Sequence, residues 1–512
     1  MMYFSYLANV LTPLARLLRQ YANLETVLVC YGRDMLPKPT LYDFDEGAFA
    51  EIVEMDPILA ADEAVDEKQS GALADAAAHI ERRYNLNVIE LIRSDRHVGI
   101  GWVTSVNFPQ SEYGRQTSYP QSVEVVIRLV RAFEDLIDRR PPLAIVGNSS
   151  AVGPSVLWHM LKGLGVETRT MAVARSGEAL FWSRDEYMLP EGFAKAYQDA
   201  LCSEVAPQSK ETDSSWLTPS VRAQAVLESL SQGVSWRELA RQLYLSIRTL
   251  AGDRLYRSSY AYGKYLPLQQ IRLIIERHFW RRRIVREKPV MTAVPDDTAF
   301  VFFPLQIEPE ATLMMESPMC DSHLTAIDWL AKTAPGGWYV VVKEHPGATA
   351  PRTQAFWQTI ETYPNVIVAK TLEDARGIAE RARAVAVLNG SLGVQAATIG
   401  KPVITFHPEF IARCLPHVLF ADSYQATKDA LATIRDNKLP PMAERTKTVS
   451  AFLHAQEASA FPVSDPQILS GKSIPEKAVA ADINKIARTL LETLGLDVPA
   501  SASNQEAVGA EK

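Results

Sequence analysis

Apolar runs that predict strands alternate with helical patterns in two parts of the chain. In the first part, residues 25–31 (ETVLVCY), 143–147 (LAIVG) and 168–174 predict buried strands, with a helix between the last two. The second part predicts five strands, at residues 299–305, 338–343, 366–369, 384–388 and 402–406. Helical patterns fill the gaps between these five strands. Alternation at this spacing predicts parallel sheets whose two faces are covered by helices.

The two strand-containing parts are joined by a segment that predicts mainly helices. Residues 221–287 show helical spacing, broken near Gly233 and Pro267, whereas residues 37–68 are acidic and predict an irregular surface insertion. The pattern predicts five regions: an N-terminal Rossmann-like domain (1–205), a helical connector (206–295), a second Rossmann-like domain (296–440), a C-terminal helical region (441–500) and a disordered tail (501–512).

Composition places the chain among globular proteins and removes several classes. Of its 512 residues, 47% are apolar and 22% are charged, which suffices for a sizeable core in each domain. A formal net charge of −7 argues against a general nucleic-acid coat. The four cysteines lie far apart and predict reduced thiols rather than a disulfide scaffold or a thiolate zinc site.

Hydropathy bears on the location of the protein. The sequence holds no apolar run of about 18 residues, so no helix is expected to span a membrane. Residues 1–18 are apolar but lack a basic n-region, and their spacing predicts an amphipathic helix rather than a signal peptide. The expected location is the cytoplasm, or the inner face of the membrane for a peripheral protein.

Residues 338–347 (WYVVVKEHPG) place polar groups after a predicted buried strand. Ligands of open parallel sheets bind beyond the carboxyl ends of the strands. Lys343 and His345 lie two residues apart, so they share one face if the strand continues, and Pro346 would fix the turn. The ammonium and the imidazole could neutralise a nucleotide phosphate. The alternative is an ordinary strand terminus at the surface.

Residues 384–406 (AVAVLNGSLGVQAATIGKPVITF) predict a strand, a turn, a helix and a second strand. Asn389, Gly390 and Ser391 form the turn, where backbone N–H groups and a hydroxyl at a helix N-terminus favour a bound phosphate. Gln395, one turn into the helix, would reach a ribose hydroxyl. The alternative is a plain turn in which Ser391 caps the helix.

Polar side chains also follow the strand at residues 299–305. Gln306 would bind the sugar, and Glu310 is a candidate general base. A solvated acidic loop explains this segment equally well.

The first domain offers candidates for the acceptor side of the site. Asp95 is the preferred general base, because a carboxylate can take the proton of an attacking hydroxyl, although an ion pair with Arg96 also explains it. Asn148 and Ser149 follow one predicted strand and Arg175 follows another. These three would bind the acceptor or the sugar, since an arginine fork can hold a carboxylate or a phosphate.

Several familiar motifs are missing from the sequence. It contains no GxxxxGK[ST], no HExxH and no GxSxG, and no DxD follows a predicted strand. We therefore expect neither a P-loop ATPase nor a metal-dependent sugar transferase, and we expect no metal and no cofactor at the site.

Five stretches resemble the bacterial capsule polysaccharide biosynthesis family, which includes Kdo transferases of capsule assembly. They are IERRYNLNVIELIRSDR (80–96), VARSGEALFWSRDEY (173–187), FFPLQIEPEAT (302–312), VVKEHPG (341–347) and NGSLGVQAATIGKPVITF (389–406). The resemblance implies a GT-B fold, in which two Rossmann-like domains face a cleft. It also implies that the His-Pro pair and the turn at 389–391 hold the phosphate of a nucleotide sugar, with CMP-Kdo as the favoured donor. The implied activity is a metal-independent glycosyltransferase of surface polysaccharide assembly with a saccharide or lipid-linked acceptor.

Two other classes stay open. A sugar-nucleotide epimerase also uses two Rossmann-like domains and a Ser/Gly turn at a strand end. Residues 227–250 (LESLSQGVSWRELARQLYLSIRTL) resemble a LuxR-type helix-turn-helix, which would indicate a DNA-binding regulator. A tight helical hairpin with serine caps has the same pattern.

A basic segment follows that pattern. Residues 272–288 (RLIIERHFWRRRIVREK) interleave seven Arg or Lys residues with apolar positions. This is typical of a helix that packs an apolar stripe on the core and exposes its charges. It is also typical of a helix that contacts an anionic membrane surface, which would suit a lipid-linked acceptor.

Overall fold

The computed structural model describes most of the chain. The described residues are 2–3, 8–30, 45–55, 58, 70–93, 118–147, 152–174, 179–187, 189–203, 235–252, 267–307, 313, 322–346, 352–464 and 476–498. Within these ranges the chain forms two α/β units, each built on one mainly parallel sheet. The predicted fold class is therefore confirmed. No helix in these ranges is long and apolar enough to cross a bilayer.

The first sheet contains seven strands. They are β1 (Met2–Tyr3), β2 (Val27–Cys30), β3 (Glu51–Glu54), β4 (Ala144–Gly147), β5 (Glu167–Val173), β6 (Ala179–Ser183) and β13 (Phe461–Pro462). Their order is β13-β6-β5-β4-β1-β2-β3. β1 to β5 pair in parallel, whereas β6 pairs antiparallel with β5, and β13 with β6. Every residue of β2 and β4 is buried, as expected of runs that are apolar on both faces.

β3 corrects the prediction of an irregular surface insertion at residues 37–68. This strand, EIVE, pairs in parallel with β2 at one edge of the sheet. Only Ile52 and Val53 are apolar, and the strand is only partly buried. An edge strand needs little apolar sequence, so the acidic composition concealed it.

Helices cover both faces of the first sheet. The helices on one face are α2 (Ser70–Tyr84), α3 (Val88–Arg93), α4 (Tyr119–Arg139) and α5 (Val152–Gly163). The other face packs against α1 (Ala8–Ala22) and α15 (Glu476–Thr493). The predicted N-terminal amphipathic helix is therefore present as α1.

The second sheet contains six parallel strands. They are β7 (Phe300–Pro304), β8 (Tyr339–Lys343), β9 (Val366–Ala369), β10 (Ala384–Val387), β11 (Val403–Thr405) and β12 (Val418–Phe420). Their order is β12-β11-β10-β7-β8-β9. β7 to β11 confirm the five predicted strands to within one or two residues, whereas β12 was not predicted.

Helices also cover both faces of the second sheet. One face packs against α9 (His323–Thr333), α10 (Gln354–Glu361) and α13 (Tyr424–Arg435). The other packs against α6 (Phe193–Cys202), α11 (Ala375–Arg381), α12 (Ser391–Thr398) and α14 (Met442–Ala458). Between the two sheets along the chain, α7 (Trp236–Gly252) and α8 (Pro267–Ile284) contact each other.

Each sheet takes a segment from the other part of the chain. α6 precedes α7 and α8 but packs on the second sheet, where Phe193 meets Phe452 with ring centroids 5.5 Å apart. The end of the chain returns to the first sheet through β13 and α15. The predicted domain boundaries stay a prediction.

A buried arginine fixes this returning helix. Arg169 of β5 is 1% exposed, donates to the carbonyl and to Oγ1 of Thr493 at the end of α15, and pairs with Glu167 at 2.7 Å. A cation at a helix C-terminus is favourable because the last carbonyls carry partial negative charge.

Candidate functional site

The polar segments that follow three neighbouring strands meet at one edge of the second sheet. β10, β7 and β8 are adjacent and parallel, so their carboxyl ends lie side by side. These strands are followed by residues 389–391, by Gln306 and by residues 344–346, with Lys343 ending β8. At the usual strand spacing, the two outer segments lie about 10 Å apart. The structure therefore brings together the predicted donor-side residues that lie in the described ranges.

Gln306 ties these strand ends to one another. Its side-chain Oε1 accepts a hydrogen bond from the backbone N–H of Asn389 at 3.1 Å. Its carbonyl accepts from Nη2 of Arg352 at 2.6 Å, and its backbone N–H donates to Nε2 of His323 at 2.9 Å. Gln306, which was predicted to bind the sugar, thus positions the turn that begins at Asn389.

A buried ion pair supports the segment after β8. Nε of Arg352 lies 2.8 Å from Oε2 of Glu344, and the two side chains are 4% and 5% exposed. The other carboxylate oxygen of Glu344 accepts the backbone N–H of His345 at 2.9 Å. The arginine also lies over the ring of Phe356, 4.8 Å from its centroid. This pair holds the turn that carries His345.

Lys343 is a cation at the end of β8 with 4% of its surface exposed. Its Nζ contacts the carbonyl oxygen of Glu344 at 3.5 Å, which is too long for a strong hydrogen bond. Burial lowers the pKa of Lys343 to about 8, although Glu344, Glu373 and Asp374 act in the opposite direction. A buried ammonium with so weak a contact is suited to receive an anion.

The turn after β10 leads directly into α12. Gly390 is the N-cap residue, no side chain caps the helix, and Ser391 is the first helical residue. The alternative interpretation, in which Ser391 caps the helix, is therefore wrong. The N–H of Asn389 is committed to Gln306, so an anion would meet the N–H groups that follow it at the start of α12. Gln395 is half-buried and lies one turn further along the helix.

Gly393 sets how closely α12 approaches β10. A Cβ at this position would lie 2.5 Å from Cγ2 of Val387 and 3.1 Å from Cζ of Phe410. A larger residue would push the helix away from the strand. The glycine therefore fixes the helix N-terminus against the sheet edge.

His407 lies at the same edge, and sequence reasoning missed it. It follows β11 and begins a second His-Pro pair, in the strand-end position that His345 occupies after β8. It is 1% exposed, and its Nδ1 accepts the N–H of Glu409 at 2.8 Å. The proton of the neutral ring is therefore on Nε2, which has no hydrogen-bond partner among the described residues. The repeated strand–His–Pro pattern was the available signal.

The surroundings of His407 bring a residue of the first unit to this edge. Burial lowers the pKa of His407 to about 4, so the ring is neutral at pH 7. Tyr187, from the turn after β6, packs edge-on against it with ring centroids 5.7 Å apart. Burial, with acidic neighbours that include Glu186 and Glu409, raises the pKa of Tyr187 to about 12. The first unit therefore meets the second beside the candidate site.

The remaining candidates lie outside the described residues. They are Asp95, Asn148, Ser149, Arg175 and Glu310. Asp95 follows Arg93 at the end of α3, and Asn148 and Ser149 follow Gly147 at the end of β4. Arg175 follows Ala174 just after β5, and Glu310 comes three residues after Ile307. Their roles stay predictions.

The fold and the site define an α/β protein of two mainly parallel sheets, with the candidate phosphate-binding groups at the strand ends of the second. Residues 219–410 match the family model described as capsule polysaccharide biosynthesis protein. The resemblance to that family is thereby confirmed, and every candidate residue of the second sheet lies within the matched segment. No curated protein sequence matches the chain.

Solved structures show distant similarity to the chain. The β-Kdo 2,7 transferase KpsC of Thermosulfurimonas dismutans is 14% identical, with 72% of this chain and 91% of that chain covered and a TM-score of 0.32. The UDP-GlcNAc 2-epimerase of Neisseria meningitidis is 10% identical, with 96% and 99% covered and a TM-score of 0.27. The sucrose-phosphate synthase of Thermosynechococcus elongatus is 12% identical, with 72% and 79% covered and a TM-score of 0.27.

Proposed function

We propose that the protein is a glycosyltransferase of capsular or surface polysaccharide assembly. It transfers a sugar from a nucleotide-sugar donor to a saccharide or glycolipid acceptor. The observation that carries the proposal is the buried ammonium of Lys343 at the end of β8, which shares one sheet edge with the uncapped N-terminus of α12, two strands away. Both lie inside the segment that matches the capsule family. Both features favour a bound phosphate.

On the donor side, each group has a defined part in the proposal. Lys343 and His345 face the phosphate from β8, and the N–H groups of Gly390 and Ser391 face it from α12. Gln395 binds the ribose. When the bond between the anomeric carbon and the phosphate oxygen breaks, the ammonium stabilises the negative charge that stays on the nucleotide.

On the acceptor side, the roles come from the sequence. Asp95 takes the proton of the acceptor hydroxyl while that oxygen bonds to the anomeric carbon, and Glu310 is the second candidate for this base. Asn148, Ser149 and Arg175 hold the acceptor or the transferred sugar.

The finer points of the proposal are the donor, the metal and the location. CMP-Kdo is the favoured donor, because the strand-end His-Pro pair and the turn at 389–391 resemble those of the capsule family. The proposed reaction needs no bound metal. The proposed location of the protein is the cytoplasm or the inner face of the membrane.

A panel of nucleotides tests the donor site. The full chain is expected to melt at a higher temperature with CMP than with UDP, GDP or CDP, because a ligand that binds only the folded state stabilises it. At about 100 times its Kd, such a ligand adds about 2.7 kcal/mol. A melting temperature that none of the four raises would contradict a nucleotide site at this edge.

The acceptor dependence separates a transferase from an epimerase. The donor to use is CMP-Kdo, or the nucleotide sugar that contains whichever nucleotide stabilises the protein. A transferase is expected to release the nucleotide from this donor much faster when a capsule oligosaccharide acceptor is added. Mass spectrometry would show the acceptor gaining one sugar. An isomerised nucleotide sugar in the absence of acceptor would establish the epimerase instead.

His345→Ala is expected to weaken binding of the stabilising nucleotide by about 1.5–3 kcal/mol, which is about 10-fold to 150-fold. The variant loses the ring but keeps the backbone bond to Glu344, so the turn stays in place. Titration calorimetry measures the affinity, and His454→Ala, at an exposed position of α14, is the control. A folded His345→Ala protein with the parent affinity would remove His345 from the site.

A further inference from the structure

The two helices α7 and α8 carry a group of exposed apolar side chains. Trp236, Tyr244 and Ile247 of α7 are 55%, 62% and 55% exposed, and Phe279 of α8 is 54% exposed. Trp236 and Ile247 are 11 residues apart, so the group extends about 16 Å along α7. Exposed apolar side chains grouped in this way mark an interaction surface rather than an ordinary solvent face.

Trp236 is held in place by its neighbours on α8. The guanidinium of Arg282 lies 4.7 Å from the centroid of the indole, and the ring of His278 lies 4.6 Å away. Phe279 packs edge-on against the indole at 5.9 Å. Burial lowers the pKa of His278, with Arg282 adding to the effect, so this histidine packs as a neutral ring at pH 7. The indole is therefore ordered although more than half of it is exposed.

A cavity opens beside this aromatic group. It has a volume of about 540 Å³ and is lined by Trp236, Phe279, Arg282, Arg283, Arg286 and Glu287. The one carboxylate of the lining lies 3.4 Å from Nε of Arg283 and is partly neutralised by it. Two aromatic rings and three guanidiniums therefore face the cavity with a positive excess. Guanidinium forks bind phosphate oxygens, which makes the cavity suited to a phosphate group.

We propose that this surface, Trp236, Tyr244, Ile247, Phe279 and the arginine-lined cavity, docks the protein on an anionic phospholipid membrane. A lipid phosphate occupies the cavity, and the aromatic and aliphatic side chains enter the interfacial region of the bilayer. The proposal rests on the proposed function and deepens it, because a glycolipid acceptor would be held in the same membrane. Exposed apolar side chains beside guanidiniums are the combination by which interfacial helices bind anionic bilayers, whereas a free phosphate offers no site for Tyr244 and Ile247.

The proposed membrane surface differs from the one that the sequence predicts. Residues 272–288 predict one basic helix with an apolar stripe, but in α8 Phe279 is exposed while Arg281 and Arg282 are half-buried. α8 therefore does not separate one apolar face from one polar face. The surface instead needs both helices, with the indole supplied by α7. The resemblance of residues 227–250 to a helix-turn-helix would need a turn within that segment, whereas α7 runs without a break from Trp236 to Gly252.

Vesicle co-sedimentation of the full chain, without donor or acceptor, tests the proposal. The parent protein is expected to sediment with phosphatidylcholine vesicles that contain phosphatidylglycerol. With pure phosphatidylcholine vesicles it is expected to stay in the supernatant. Arg286→Gln should weaken binding about fivefold, and added salt should reduce this difference. Trp236→Ala should weaken binding about tenfold or more with little dependence on salt.

Matched controls lie on another exposed helix. Arg435→Gln and Tyr424→Ala, at exposed positions of α13, should bind vesicles like the parent. All four changes are at the surface, so thermal unfolding should confirm that each variant is folded.

Equal binding to neutral vesicles, or parent-like binding by both Trp236→Ala and Arg286→Gln, would overturn the proposal. Loss of vesicle binding on adding inorganic phosphate alone would assign the cavity to free phosphate, and tighter binding to a DNA duplex would assign the surface to nucleic acid. The vesicle assay measures no sugar transfer, so none of these outcomes affects the test of the proposed function.

Discussion

Arg352→Met is expected to lower the free energy of unfolding by about 3–5 kcal/mol. The change leaves the carboxylate of Glu344 buried without its cation, and it removes the bond from Nη2 to the carbonyl of Gln306. Both losses occur where the segments after β7 and β8 meet, so binding of the nucleotide should weaken in parallel. Urea unfolding measures the first effect, and calorimetric titration measures the second.

An exposed ion pair provides the control for this change. Arg376 and Glu380 pair on α11 at 2.9 Å with both side chains exposed, so Arg376→Met should cost less than about 1 kcal/mol. The double variant Arg352→Met with Glu344→Gln should recover part of the loss, because the buried charge is then gone as well. A cost for Arg352→Met no larger than that for Arg376→Met would show that the buried pair does not hold the site.

The strands that position the site could be predicted because they are buried on both faces. FVFF in β7, VVV in β8 and AVAV in β10 are continuous apolar runs, which is the pattern of a central parallel strand. β3 and β12 lie at sheet edges and are only partly buried, so their sequences lack the strong apolar signal of a central strand. Periodicity therefore predicts the middle of each sheet better than its edges.

Within the site, position along the chain predicted the strand-end groups but not the contacts between them. Lys343 and Gly390 could be recognised because parallel strands bind ligands at their carboxyl ends. Arg352 could not, because it pairs with Glu344 from eight residues further along the chain, and no local pattern specifies that contact. The same holds for the bond between Gln306 and Asn389, which depends on β7 and β10 being neighbours although some 80 residues separate them.

Lys343→Met is expected to weaken binding of the stabilising nucleotide by about 2–5 kcal/mol, which is about 30-fold or more. The free energy of unfolding without nucleotide should stay the same or rise, because methionine fills a similar volume and removes a charge whose burial opposes folding. Lys401→Met is the matched control. This half-buried lysine donates to the carbonyls of Glu380 and Ala382 at 2.8 and 2.9 Å. Its replacement should therefore lower stability and leave the affinity unchanged.

The pH dependence gives Lys343 a second, independent signature. Its pKa is about 8 in the folded chain against an ordinary value of 10.5. Between these two values the unfolded chain holds a proton that the folded chain has lost, so the contribution of Lys343 to the free energy of unfolding rises with pH. Nucleotide affinity should fall over the same range, because the folded protein loses its ammonium while the phosphate of a nucleotide sugar keeps its charge. From about pH 7 to about pH 9.5 the free energy of unfolding of the parent should rise relative to that of Lys343→Met, and the fall in nucleotide affinity should be absent from the variant. An affinity that is flat with pH in the parent would mean that the phosphate does not meet this lysine.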